Sequence, residues 1–250
     1  MNQTRDPIGV FDSGVGGIST LREMIRELPD ERFIYYGDMA NAPYGDKSTE
    51  EVLACVRDVV AHLMEKKIKA LVIACNTATG AAAATLRREL ALPVIGMEPA
   101  LKPASRMRKN GAVLVLATPL TLHQEKFENL MKQYGEGAVK VPCPGLMELV
   151  EADDGDGALR YLRELFAGYD IEKVDAVVLG CTHYVFLKDM IRDILPERIA
   201  ITDGNAGTAR QLRRVLDARG LLNTEGPGCV ELETSGTEKN LELMRKLLEN

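Results

Sequence analysis

At 250 residues, with 31 basic side chains against 37 acidic ones and a net charge of -6, the chain lacks the basic footprint of a nucleic-acid binder. Its length exceeds the common single-domain size, so two α/β domains are expected. No apolar run approaches the roughly 20 residues of a membrane span, and the amino terminus has no signal-peptide core, so a cytoplasmic protein engaging neither membrane nor nucleic acid is expected. Five cysteines, without Cys-x-x-Cys spacing, argue against a disulfide framework or a zinc ribbon and leave free thiols as the default.

In chain order, residues 8–12 read as a short strand ending on Asp12, and residues 13–17 as a tight glycine turn into an amphipathic helix over 18–28. The glycines are expected to carry the backbone through positive φ and to let N–H groups at the helix start approach a carboxylate. The turn is no dinucleotide fingerprint, because the third glycine of G-x-G-x-x-G would fall at Ser19. Residues 32–38 read as a second strand, followed by a loop holding Pro43, Tyr44 and Gly45. Ser48 and Glu51 match a capping box, so a helix runs from there to about residue 67. A third strand ends at Cys75, a small-residue helix covers 78–90, and a short strand covers 92–96. Pro99 and Pro103 mark a domain crossing. The expected division is 1–97 with 207–250 as a first domain carrying Cys75 and 98–206 as a second carrying Cys181.

The pattern restarts with a strand at 112–117 and a helix from Thr118, as N-cap before Pro119, to about residue 134. A short strand near 139–144, a brief helix at 146–151, a polar connection at 153–157 and a helix over 158–167 come next. The strand carrying Cys181 follows, then a strand at 199–203, an Arg-rich helix to about 219, and a terminal strand and helix. This alternation predicts an α/β fold of two pseudo-symmetric domains with largely parallel sheets and a cleft between them.

Two apolar stretches, residues 70–77 and 174–183, each run out into a cysteine at the carboxyl end of a buried parallel strand, the edge at which ligands of open α/β sheets gather. A buried structural cysteine is the usual fate of this residue, but the neighbours favour chemistry. Cys75 leads a helix start, which is expected to lower its pKa from about 8.5 and favour thiolate. Asn76 and Thr77 add donors for a carboxylate. Cys181 precedes Thr182 and His183, whose imidazole can take or share the thiol proton. A Cys–His nucleophile is one reading, yet nucleophilic hydrolysis needs one thiol and this chain prepares two. Cys-x-His supplies two metal ligands and no second close cluster supplies the rest, so no metal is expected.

Six runs in order then resemble the glutamate racemase family: Val10-Phe-Asp-Ser-Gly-Val-Gly-Gly17, Tyr36-Gly-Asp38 with Pro43-Tyr-Gly45, Cys75-Asn-Thr77, Ala117-Thr-Pro-Leu-Thr121, Cys143-Pro144 with Glu151, and Gly180-Cys-Thr-His-Tyr184. Val185 and the pair Thr79-Gly80 depart from the family's usual residues and put local helix geometry in question. The resemblance implies cofactor-independent interconversion of L- and D-glutamate for peptidoglycan synthesis, with two thiols on opposite faces of Cα. It implies that Cys75 acts on the D-enantiomer with Asp12 assisting, and Cys181 on the L-enantiomer with Glu151 and His183 assisting. Asn76, Thr77 and Thr182 would bind the α-carboxylate and amine. Ser13, Pro43, Tyr44, Gly45, Thr118 and Thr121 would complete the pocket, including the clamp on the side-chain carboxylate. A homodimer is implied as well. The rival readings are a racemase of another substrate, such as aspartate or a hydantoin, and a two-domain binding protein without chemistry.

Overall fold

A computed structural model of the chain describes residues 3–249. Every residue of β1 (Ile8–Asp12) is buried, as a strand covered on both faces requires. It leads through the glycine turn into α1 (Ile18–Glu27), which buries Ile18, Leu21 and Met24 at helical spacing. Next come β2 (Arg32–Gly37), two 3-10 turns at Met39–Asn41 and Tyr44–Asp46, and α2 (Thr49–Glu65). The expected capping box is present: Ser48 Oγ accepts the Glu51 N–H and the Glu51 carboxylate accepts the Ser48 N–H. β3 (Ala70–Ile73), α3 (Asn76–Glu89) and β4 (Val94–Gly96) complete this run. α3 starts at Asn76 rather than at the expected residue 78, because Cys75 Sγ itself caps it by accepting the Ala78 N–H.

α4 (Leu101–Met107) and β5 (Ala112–Ala117) open the second run, and Thr118 caps α5 (Pro119–His123) with Pro119 in the first turn. The single helix expected from Thr118 to residue 134 is instead two. Gln124, with extended backbone (φ -69°, ψ 142°), ends α5 and starts α6 (Glu125–Tyr134). β6 (Ala138–Pro142), α7 (Leu146–Glu151) and α8 (Gly155–Ala167) follow. The expected polar connection over 153–157 is shorter, since Asp154 accepts the Gly157 N–H and starts α8 at Gly155. After β7 (Val174–Leu179) the chain forms a 3-10 stretch, His183–Leu187, then α9 (Lys188–Ile194), β8 (Ala200–Asp203), α10 (Asn205–Ala218), β9 (Cys229–Thr234) and α11 (Glu238–Glu249).

The strands form two wholly parallel sheets, β4-β3-β1-β2-β9 and β6-β5-β7-β8. Each sheet is packed on both faces. In the first, Val10 and Val72 meet α1 and α10 on one side, while Phe11, Leu71 and Ile73 meet α2 and α3 on the other. In the second, Leu116, Val177 and Leu179 face α8 and α9, and Val113, Val115 and Val178 face α4. Strand order reverses between β1 and β3 in the first sheet and between β5 and β7 in the second. At such reversals the neighbouring crossovers diverge and leave a crevice beyond the carboxyl ends of the strands. The residues that emerge there are Asp12, Cys75, Thr118 and Cys181.

Candidate active site

Gly14, Gly16 and Gly17 do not supply the positive φ expected of them; the left-handed glycines among the described residues are Gly137, Gly145, Gly220 and Gly226. Their missing side chains serve close approach instead. A methyl on Gly14 would overlap Glu151 Oε1, and one on Gly16 would overlap the His183 ring and the Thr182 hydroxyl. Residues of the second-sheet half therefore seat directly on the turn. Val15 N–H donates to Glu151 Oε1 at 2.9 Å, so the carboxylate expected at this helix start is the protein's own. Asp12, 0% exposed, accepts the Gly14 N–H at 3.0 Å, the Ser13 hydroxyl at 3.1 Å and the Thr182 hydroxyl at 2.8 Å. Burial pushes its carboxyl above the ordinary range, opposed by the positive charge of His183 and by these three donors.

Cys75 and Cys181 are 6% and 7% exposed, and both border one small cavity. Burial pushes the Cys75 thiol well up, and the Asp12 carboxylate pushes the same way. The Ala78 N–H, 3.4 Å from the sulfur, and the Ser13 hydroxyl, at 3.9 Å, lower it less. This reverses the expectation that the helix start would favour thiolate, because desolvation outweighs one first-turn N–H.

Cys181 Sγ lies 3.7 Å from His183 Nδ1, and the other ring nitrogen lies 2.7 Å from Glu151 Oε1. Burial alone would lower the His183 pKa, but its contacts with Cys181 and Glu151 raise it well above 6.5. For Glu151, burial acts upward, and the His183 hydrogen bond and charge with the Val15 N–H outweigh it, leaving the carboxyl below its ordinary range. The pair is thus an imidazolium bridging a carboxylate and a sulfur. The Gly16 N–H also points at Nε2, at 3.2 Å. A protonated Nε2 has no lone pair to accept it, so that bond and the imidazolium are alternatives, and the shorter Glu151 contact favours the imidazolium.

The raised His183 value contributes stability that is complete below about pH 6.5 and is lost as pH rises through its folded value; the lowered Glu151 value contributes stability that is complete above about pH 4.5 and is lost as pH falls through its folded value. Glu151→Gln keeps the shape and removes the charge, so the His183 pKa is expected to fall toward 6.5 in an NMR titration of its ring protons. A titration indistinguishable from wild type would show that Glu151 does not set it.

Ser13, Gly45, Asn76, Thr77, Thr118 and Thr182 border the same cavity. Asn76 Oδ1 is buried without a partner among the described residues, an acceptor left for a ligand's donor. Thr77 Oγ1 lies 3.0 Å from Thr118 Oγ1 and 2.9 Å from Thr121 Oγ1, which places Thr121 behind the wall rather than in it. Tyr44 also stands back, its hydroxyl donating to Asp38 Oδ2 at 2.6 Å. Pro43 borders a second small cavity beside Cys143 and Tyr184. Glu151 reaches the site through His183. Met147 and Gly180 line the cavity although the sequence reading did not select them as site residues. Gly180 carried a signal, since it precedes Cys181 in its motif and a Cβ there would press on the Leu116 carbonyl. Met147 is an apolar residue on a short helix, which nothing in the pattern distinguishes. Among the described residues no group of three or more His, Cys, Asp or Glu is placed to hold a metal ion, and no helix is long and apolar enough to cross a membrane.

A profile of the family described as Asp/Glu/Hydantoin racemase matches residues 8–212. The chain is 46% identical over 250 residues to a glutamate racemase of Clostridium perfringens, across 97% of this chain and 96% of that one. Among solved structures, glutamate racemase of Thermus thermophilus in complex with beta-chloro-D-alanine matches with a TM-score of 0.81 at 37% identity, covering 98% of this chain and 93% of that one. Escherichia coli glutamate racemase in complex with L-glutamate and the activator UDP-MurNAc-Ala matches with a TM-score of 0.85 at 30% identity, covering 97% and 94%. The profile takes in both thiols and every strand but β9, and the relatives are aligned over nearly their full lengths: the chain belongs to the Asp/Glu/Hydantoin racemase family.

Proposed function

We propose that the chain interconverts L- and D-glutamate by proton transfer at Cα between two thiols, without a cofactor, in the service of peptidoglycan synthesis. The observation that carries this reading is the pair Cys75 and Cys181, delivered from the reversal points of two parallel sheets onto one buried cavity. One sulfur, as thiolate, takes the α-proton: the C–H bond breaks, an S–H bond forms, and the electron pair moves into the α-carboxylate. The other, as thiol, gives its proton to the opposite face and becomes the thiolate. A single base would return its proton to the face it came from, so inversion needs both.

No electron sink is required beyond the carboxylate if its growing charge meets fixed donors in a site closed to water. In this reading Asn76, Thr77 and Thr182, which border the cavity, bind the α-carboxylate and amine, with Asn76 Oδ1 accepting from the ammonium group. Cys75 faces the D-enantiomer with Asp12 beside it, and Cys181 faces the L-enantiomer with the His183–Glu151 pair behind it. Ser13, Gly45 and Thr118 hold the side-chain carboxylate, backed by Pro43, Tyr44 and Thr121. The division into residues 1–97 with 207–250 and 98–206, action in the cytoplasm and a homodimeric state belong to the same reading. The names of the relatives favour glutamate over aspartate.

The test is incubation with each glutamate enantiomer in D₂O, following Cα deuteration by NMR and the decay of circular dichroism. Deuteration with loss of optical activity is expected from both enantiomers. No exchange from either removes the reading, and exchange seen only when aspartate replaces glutamate in the same assay reassigns the substrate.

A further inference from the structure

Gln124 takes no part in the cavity that holds the thiols, yet it is buried and crosses between the two halves. Its backbone is fixed at the junction of α5 and α6, where its N–H bonds the Leu120 carbonyl and its own carbonyl accepts the Glu128 N–H. From there its side-chain amide reaches α3 and donates to the Thr77 carbonyl at 2.9 Å. The space it occupies exists because residue 80 is glycine: a Cβ on Gly80 would overlap the Gln124 side-chain carbonyl. Gly80 lies inside α3, where glycine is a poor helix former. Its place there is explained by the side chain it admits.

We propose that Gln124, seated over Gly80, is a positioning residue of the racemisation reaction: it fixes the first turn of α3, and so Cys75, against the half of the molecule that carries Cys181. Three features join the contact to the chemistry. Cys75 is the N-cap of α3, so its sulfur moves with that turn. Thr77, whose carbonyl Gln124 holds, also forms the hydroxyl contacts with Thr118 and Thr121 across the same boundary. The amide is anchored between two helices of the opposite half and does not depend on a mobile loop. A proton passed between two sulfurs through one carbon requires both to stand within reach of it, and a displacement of about 1 Å can lower a rate about 10²-fold. The inference rests on the two-thiol reading proposed above.

Four variants of the full chain test it: Gln124→Met, which fills similar space without a donor, Gln124→Ala, Gly80→Ala and the double variant Gly80→Ala/Gln124→Ala. For Gln124→Met and Gln124→Ala, kcat is expected to fall about 10- to 100-fold in both directions, with KM moving less than about threefold. Gly80→Ala should match them by evicting the amide, and the double variant should be no worse than Gln124→Ala, a coupling that independent defects would not give. Circular dichroism melts identify any variant that fails to fold. In the substrate-free protein, the amides of residues 76–81 should exchange hydrogen faster in Gln124→Met than in wild type. Wild-type kcat in Gln124→Met, additive effects in the double variant, or unchanged exchange at 76–81 would each overturn the proposal. Wild-type protein that leaves glutamate unexchanged removes the two-thiol reading instead, and the hydrogen-exchange comparison then still decides whether Gln124 holds α3.

Discussion

Cys75→Ala and Cys181→Ala are each expected to lower racemisation of both enantiomers by at least about 10³-fold, a loss of about 4 kcal/mol of transition-state stabilisation. Both directions must fall together in either variant, because the thiol that accepts the proton in one direction donates it in the other. The residual exchange should be one-handed. Without Cys75, the remaining Cys181 can deprotonate and redeuterate L-glutamate from its own face, giving deuterated L-glutamate in D₂O with no inversion. Without Cys181 the same holds for D-glutamate. The alternative is that these are ordinary buried cysteines, for which alanine would cost stability and leave turnover intact. Chiral chromatography with NMR of the recovered glutamate separates the two. Racemisation near the wild-type rate in either variant would sink the two-base mechanism, and residual exchange of the opposite handedness would reverse the assignment of the two thiols.

The position of both thiols at the carboxyl ends of buried strands was legible in the sequence because its signal is local: an apolar, β-branched run ending in cysteine. The parallel α/β fold was legible for the same reason, through alternating runs and a capping box that needs four consecutive residues. What failed to show depends on distant partners. The purpose of Gly14 and Gly16 lies in Glu151 and His183, far along the chain, so a local reading offered positive φ and the molecule uses close approach. The Cys75 thiol was expected to be acidic from its helix start, whereas burial beside Asp12 decides the direction. The break at Gln124 carries no glycine or proline signal within 120–134, and a bond to the Thr77 carbonyl accompanies it. Which strand β9 pairs with is likewise a property of the assembled sheet: the expected assignment of 207–250 to the first domain did not name β2 as its neighbour.

Lys69→Met is expected to destabilise the protein by about 3–5 kcal/mol, the cost of stranding a buried carboxylate. The Lys69 and Glu31 side chains are 1% and 2% exposed and meet at 2.5 Å. The ammonium also donates to the carbonyls of Thr4 and Leu221, and Glu31 accepts the Asn223 N–H at 2.8 Å. Burial lowers the Lys69 pKa against the pull of Glu31, so the ion is held by its partners and not by water. One ion pair thereby ties the chain before β1, the connection after α1, the residue preceding β3 and the segment leading to β9. Urea unfolding measures the loss, and Lys69→Met/Glu31→Leu should recover most of it, because replacing both partners removes the stranded charge. A loss below about 1 kcal/mol for Lys69→Met would place the pair in the class of solvated surface bridges. This cluster sits at the amino edge of the first sheet, since Lys69 immediately precedes β3, whereas Cys75 follows that strand at the carboxyl edge. The same short strand therefore separates the two kinds of defect: below the melting temperature, Lys69→Met should leave kcat and KM unchanged, and the cysteine variants should do the reverse, losing turnover with the fold retained.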